Sequence, residues 1–215
     1  MEMYCLVAVM LLLLCGVTRS KPYDGPFGLK KGLTLAKLKK FDPNIEKIKE
    51  GVYQMRVVPT PHKSFVSYAV VVSPKTGLCK ISCASKEIFC NSYGTQLKAE
   101  HESIRDALER RYGSYDEMDC LFSGSIWNQP EDFMKSLLLE ERTLSSFWDL
   151  EAEVSSALSS FLDTWEYPPT NNGILNIYME TQANDIASAF IILNYEFDNF
   201  TEFAEQQKEK EDSAF

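Results

Sequence analysis

The clearest pattern along the chain is the alternation of apolar and polar positions between Ser64 and Glu87. Phe65, Ser67 and Ala69 alternate with Val66, Tyr68 and Val70, and Val71 and Val72 follow, a β-branched and aromatic enrichment that suits a mostly buried pleated surface. Ser73-Pro74-Lys75-Thr76-Gly77 breaks the run, and from Leu78 the pattern resumes with Leu78, Lys80 and Ser82 opposing Cys79, Ile81 and Cys83. Two alternating runs joined by a Pro- and Gly-bearing turn predict a β-hairpin over about 64–84. The remaining elements must cover its apolar face.

Upstream, Lys21 to Gly32 reads as a loop, and Thr34 caps a short helix with Leu35, Leu38 and Phe41 on one side, ended by Pro43. Val52 to Val58 alternates as a strand. Downstream, Leu97, His101, Ile104, Leu108 and Tyr112 fall at helical spacing within Gln96 to Tyr112, and Gly113 stops that helix. Asn128 and Pro130 open a helix carrying Phe133, Met134, Leu137 and Leu138, and Thr143 to Trp148 reads as a strand. Val154, Leu158, Phe161 and Leu162 predict a further helix, Ile174 to Met179 and Phe190 to Phe197 two strands, and Phe200, Phe203 and Ala204 a terminal helix. The fold class is α+β: a mainly antiparallel sheet around a central hairpin, with helices packed on it. The order suggests two similar helix–three-strand–helix halves, 21–113 and 114–210, sharing one sheet, with a tail at 211–215. No internal sequence identity supports a duplication.

With 215 residues and 45% hydrophobic composition, the chain is long enough to bury a real core. Tyr4 to Val17 is an apolar run too short for a bilayer-spanning helix of about 20 residues, and it reads as the core of a signal peptide over residues 1–20. Glu2 and the absence of Lys or Arg ahead of the run depart from the usual pattern. The expectation is export to the periplasm or outside the cell, with no transmembrane helix in the mature chain. Cys15 follows Leu12-Leu13-Leu14 and is a lipidation candidate that would add membrane association, although such sites want small residues before the cysteine. The plain reading is an inert hydrophobe in a discarded leader.

Export leaves Cys79, Cys83, Cys90 and Cys120, an even number suited to an oxidising compartment. Cys79 and Cys83 lie ~13 Å apart on one strand and cannot bridge. Of the pairings that remain, Cys83–Cys90 with Cys79–Cys120 is the first choice, and the sequence leaves the connectivity open. A zinc site from Cys79, Cys83, Cys90 and His101 is the alternative.

The net charge is −9, and between Arg142 and Lys208 there is no Lys or Arg. Asp149, Glu151, Glu153, Asp163, Glu166, Glu180 and Asp185 make that stretch a candidate acidic interaction face for a basic protein or peptide, and argue against nucleic acid as its target. Pairing with the lysine-rich segment Lys21 to Lys49 explains the same asymmetry without a partner.

Catalytic signatures are sparse. There are two histidines, His62 in a Pro-flanked loop and His101 on the apolar stripe of the long helix, and no GxSxG, HExxH, P-loop or GxGxxG occurs. Glu140 with Glu141, or Asp116, Glu117 and Asp119, are the acids available to a small hydrolase. Trp127, Trp148, Trp165 and Tyr167 suit either a ligand groove or core anchoring. Asn199-Phe200-Thr201 matches a glycosylation acceptor. No cofactor is implied.

Pro26 to Phe41, PFGLKKGLTLAKLKKF, resembles the opening of many bacterial exported proteins. VPTPHKSFVSYAVVVSPKTGLCKI, the helix ending in Tyr112-Gly113, SIWNQPEDFMKSLLLEER and YEFDNF resemble an uncharacterised family of secreted bacterial proteins, over most of the mature chain. More distantly, the front helix and strands resemble small α/β lipoprotein modules that assist outer-membrane assembly. The resemblance implies an exported α/β protein and transfers no catalytic residue. The resulting expectation is a non-enzymatic envelope protein that binds a protein or peptide. The alternatives are a small secreted hydrolase using acidic residues and a lipid-anchored structural protein.

Overall fold

The computed structural model describes residues 25–150 and 172–212. The helix expected around Val154–Leu162, the leader with Cys15, and Glu151, Glu153, Asp163, Glu166, Trp165 and Tyr167 lie outside them. In chain order the elements are helix α1 (Leu35–Phe41), strands β1 (Glu46–Lys49), β2 (Val52–Met55), β3 (Phe65–Ser73), β4 (Gly77–Ser85) and β5 (Ile88–Phe89), then helix α2 (Thr95–Tyr112). There follow β6 (Asp116–Leu121), α3 (Phe133–Leu138), β7 (Arg142–Asp149), β8 (Ile174–Ala183), β9 (Ser188–Phe197) and α4 (Phe200–Asp212). All strands join one antiparallel sheet in the order β1-β2-β3-β4-β9-β8-β7-β6, with β5 pairing β9. The fold is α+β, and the hairpin β3–β4 lies at its centre.

The core follows from the period-2 pattern meeting across strands. Val70 faces Ile81, Ile81 faces Tyr195, Tyr195 faces Ile177, and Ile177 faces Trp148. One row away run Tyr68, Cys83, Leu193, Met179 and Ser146. All of these are buried. Fully burying each large apolar side chain contributes about 1.5–3 kcal/mol before ordering costs. Helix α2 lies across this face with Leu97, His101, Ile104, Leu108 and Tyr112 buried, the five residues picked out by its spacing. Trp148 Nε1 donates to the carbonyl of Gly113 (3.1 Å), which ties the end of α2 to β7. Helix α3 packs on β7 and β8, and α4 returns to β4.

Strand roles repeat across the β4–β9 seam. The meander β2-β3-β4 is followed by α2, the meander β7-β8-β9 by α4, and the two meet antiparallel with Ser82 opposite Asn194. Beyond them, β1 and β6 are the sheet's edges. Neither edge shows an alternating pattern, because every residue of β1 and all but Leu121 of β6 are exposed.

Local departures from expectation have local causes. The strand expected over Val52–Val58 ends at Met55 because Asp42 accepts from the backbone N–H of Arg56 (2.6 Å) and Val57 (3.2 Å), diverting both from the ladder. Burial pushes the Asp42 carboxyl up, but these two donors and that of Asn44 outweigh it and hold the pKa below the ordinary value. In β4 a register shift opposite Val71 and Val72 puts Leu78 opposite Val72. Leu78 therefore joins Ile81 and Cys83 in the core instead of facing away from them. No helix among the described residues is long and apolar enough to cross a membrane.

Candidate functional site

Between α2, the loop 59–63 and the covered face of the sheet lies a cavity of ≈ 640 Å³. Its floor is made by Leu193 and Tyr195 of β9, Phe65 of β3, and Ile104 and Leu108 of α2. Phe27 stands at its wall, edge-on to Tyr68 (5.0 Å between ring centres), Phe65 (5.8 Å) and Tyr195 (5.9 Å).

Phe27 holds this place in a left-handed conformation, φ 56° and ψ 19°, which bulky L-residues avoid. Gly25 and Gly28 flank it at φ 89° and 77°. A Cβ at Gly25 would sit 2.0 Å from the Leu29 carbonyl oxygen, and one at Gly28 would sit 2.8 Å from Pro59 Cβ. The turn is closed by Leu29 N–H donating to the Pro26 carbonyl (2.9 Å), and Thr60 N–H donating to the Phe27 carbonyl (2.9 Å) ties it to the opposite loop. Backbone strain of this kind persists where surrounding contacts over-determine it, and it gathers at ligand sites.

The mouth is cationic. Exposed His62 and Lys63 line one side, and Arg110 and Arg111 from the last turn of α2 line the other. His62 Nδ1 accepts from the Ser64 N–H (3.3 Å). The Arg111 guanidinium lies 5.6 Å from the Tyr112 ring. Lys63 and Arg110 form no ion pair among the described residues. Among the described residues, no Asp or Glu lines the cavity.

The residues singled out from the sequence are dispersed. The pairs Cys83–Cys90 and Cys79–Cys120 are not made, and all four thiols are free. Cys83 faces Leu193 on β9, while the Cys90 N–H donates to the carbonyl of Ala187, just ahead of β9 and six positions from Leu193, thus ~20 Å away. Cys79 on β4 and Cys120 on β6 are four strands apart, ~19 Å, beyond the ~7 Å Cα reach of a disulfide. Burial pushes the Cys79 thiol up to about 11 and that of Cys83 well above its ordinary value, so neither is a thiolate nucleophile. The proposed zinc ligands do not converge: among the described residues no three His, Cys, Asp or Glu side chains are placed to hold a metal.

His101 is buried, its Nε2 3.5 Å from the hydroxyl of equally buried Ser146. Burial drives its pKa down to about 4, with Glu117 and Asp119 pulling up and Arg105 pushing down. The acids Glu117 and Asp119 are paired with Arg105 (2.7 Å) and Arg142 (2.6 Å), and Glu141 accepts from the Ser125 hydroxyl. Of the acidic face, Asp149 and Glu180 project from the same side of the sheet, while Asp185 sits in the β8–β9 turn. Lys31 pairs with Asp198 (2.7 Å), an instance of the lysine-rich segment meeting the acidic one. Trp148 is core, and Trp127 lies half-buried beside Lys135. The Asn199 side-chain amide donates to the carbonyls of Thr76 and Leu78 (both 3.2 Å), so its nitrogen is engaged within the fold.

Sequence reasoning missed the cavity. Its signals were the Gly25-Pro26-Phe27-Gly28 turn and the basic pair Arg110-Arg111 beside an aromatic, yet residues so distant converge only through β9. Compared with protein-family models, with curated proteins and with solved structures, the chain matches none.

Proposed function

We propose that the protein is a non-enzymatic binding module of the bacterial envelope and that its ligand occupies the cavity beneath the C-terminal half of α2. The observation that carries this reading is the cavity itself. Its volume and its apolar, aromatic lining with a few polar groups at the mouth are those of small-molecule sites, which run about 300–1,000 Å³. Among the described residues, its lining holds no carboxylate for acid–base work and no thiol. The apolar leader from Tyr4 to Val17 and the resemblance to secreted bacterial proteins support the envelope as its place.

The test is to fill the cavity. Ala107 lies on the exposed face of α2 and lines the space, so Ala107→Trp occupies it from a helix position that tolerates a large side chain. N-phenyl-1-naphthylamine, a neutral fluorophore that brightens in apolar sites, is expected to bind the native chain, and Ala107→Trp is expected to weaken it at least about tenfold with the melting temperature kept. Equal brightening of both proteins would show that the cavity is not the site.

A second reading, docking of a basic protein or peptide segment, is favoured by β6. That strand pairs β7 on one side, is an edge of the sheet, and exposes Asp116 and Glu117.

A further inference from the structure

We infer that the ligand of this cavity is an amphiphilic anion: a single alkyl chain ending in one carboxylate or phosphate. The inference rests on the cavity reading above and names the ligand's chemistry. Charge decides the head. The chain as a whole carries −9, yet Lys63, Arg110 and Arg111 gather beside His62 at one mouth whose lining, among the described residues, has no acid. Local positive potential on an acidic protein draws in small anions and repels cations. Lys63 and Arg110 are exposed, lie on opposite lips and are without ion pairs among the described residues, so a single anionic group between them gains charge-assisted hydrogen bonds from both sides.

Lining decides the body. Phe27, Phe65, Ile104, Leu108, Leu193 and Tyr195 present rings and aliphatic carbons to the interior. The site lies over β3 and β9, interior strands whose edges are already paired, so an extended peptide would find no open ladder there. Its main-chain N–H and C=O groups would enter an apolar space without partners, at a cost of about 1–3 kcal/mol for each group left unpaired. An alkyl chain has no such groups.

Isothermal titration of the full chain separates the possibilities, with dodecanoate, dodecyl phosphate, dodecyl maltoside and dodecyltrimethylammonium used below their micelle concentrations. The two anions are expected to bind at least about tenfold more tightly than the neutral and cationic amphiphiles. Lys63→Glu with Arg110→Glu is expected to collapse that preference. Lys47→Glu with Lys49→Glu, the same charge change on exposed β1, is expected to preserve it. A winning dodecyl phosphate assigns the head to the phosphate class, and a winning dodecanoate to the carboxylates. Equal binding of all four, or equal loss in both charge-reversed variants, overturns the anion assignment while leaving the cavity reading intact. If neither these amphiphiles nor the naphthylamine binds, the cavity reading falls and the assignment goes with it.

Discussion

His101 titrates far from where an exposed imidazole would, because α2 presses it into the sheet beside Ser146 while Glu117, Asp119 and Arg105 surround the site from β6 and from its own helix. Its folded pKa of about 4 lies below the ordinary 6.5, so between those values the unfolded chain binds the proton that the folded chain refuses. Stability contributed by the neutral ring is therefore complete above pH 7 and lost as pH falls through the window, at up to about 1.4 kcal/mol per pH unit. Urea unfolding at pH 7, 6 and 5 is expected to show this slope, and His101→Gln to flatten it; an unchanged slope in the variant would assign the loss to other groups.

The cysteines follow the same logic of burial. Cys120 is exposed, whereas Cys79 and Cys83 are buried and Cys90 half-buried, all three with pKa values raised by burial. One fast thiol is expected with Ellman's reagent on the mature native protein, abolished by Cys120→Ser, and four after unfolding without reductant. A protein that shows no thiol even when unfolded would restore the disulfide framework.

At the scale of elements, legibility tracked how strongly one face is buried. The hairpin of β3 and β4 and the stripe of α2 were readable because each has one face against the core and one elsewhere, and Gly113 marks the end of the helix in plain sight. The strands β1 and β6 were not, since an edge strand with nearly every residue exposed has no apolar period to detect. The early end of β2 depended on Asp42, thirteen residues before Met55, capturing the next two backbone donors. Asp116, Glu117 and Asp119 read as loose acids from sequence, and in the structure they are a strand whose charges brace α2 and β7 through Arg105 and Arg142. The cavity was least legible of all. Its wall depends on Phe27 taking a conformation that its residue type disfavours, and its floor on a strand more than 160 positions later in the chain.

At the scale of the molecule, the two meanders share one core, since Ile81 and Cys83 on one side of the seam bury themselves against Tyr195 and Leu193 on the other. The fragments 21–113 and 114–215 are accordingly expected to lack a cooperative thermal transition when made separately and to regain one on mixing. Circular dichroism melts check this, and a cooperative melt from either fragment alone would make the halves independent domains.

The same seam sets a timetable for the chain as it is synthesised. Lys80 and Glu196, partners across it, are separated by 116 residues, so β4 leaves the ribosome long before the strand that will cover its edge. Until then a nine-residue apolar edge stays open to any passing strand, and pairing this distant in sequence is slow once it begins. Whatever shields β4 must act through that whole interval, because the last described strand is the one that closes the middle of the sheet.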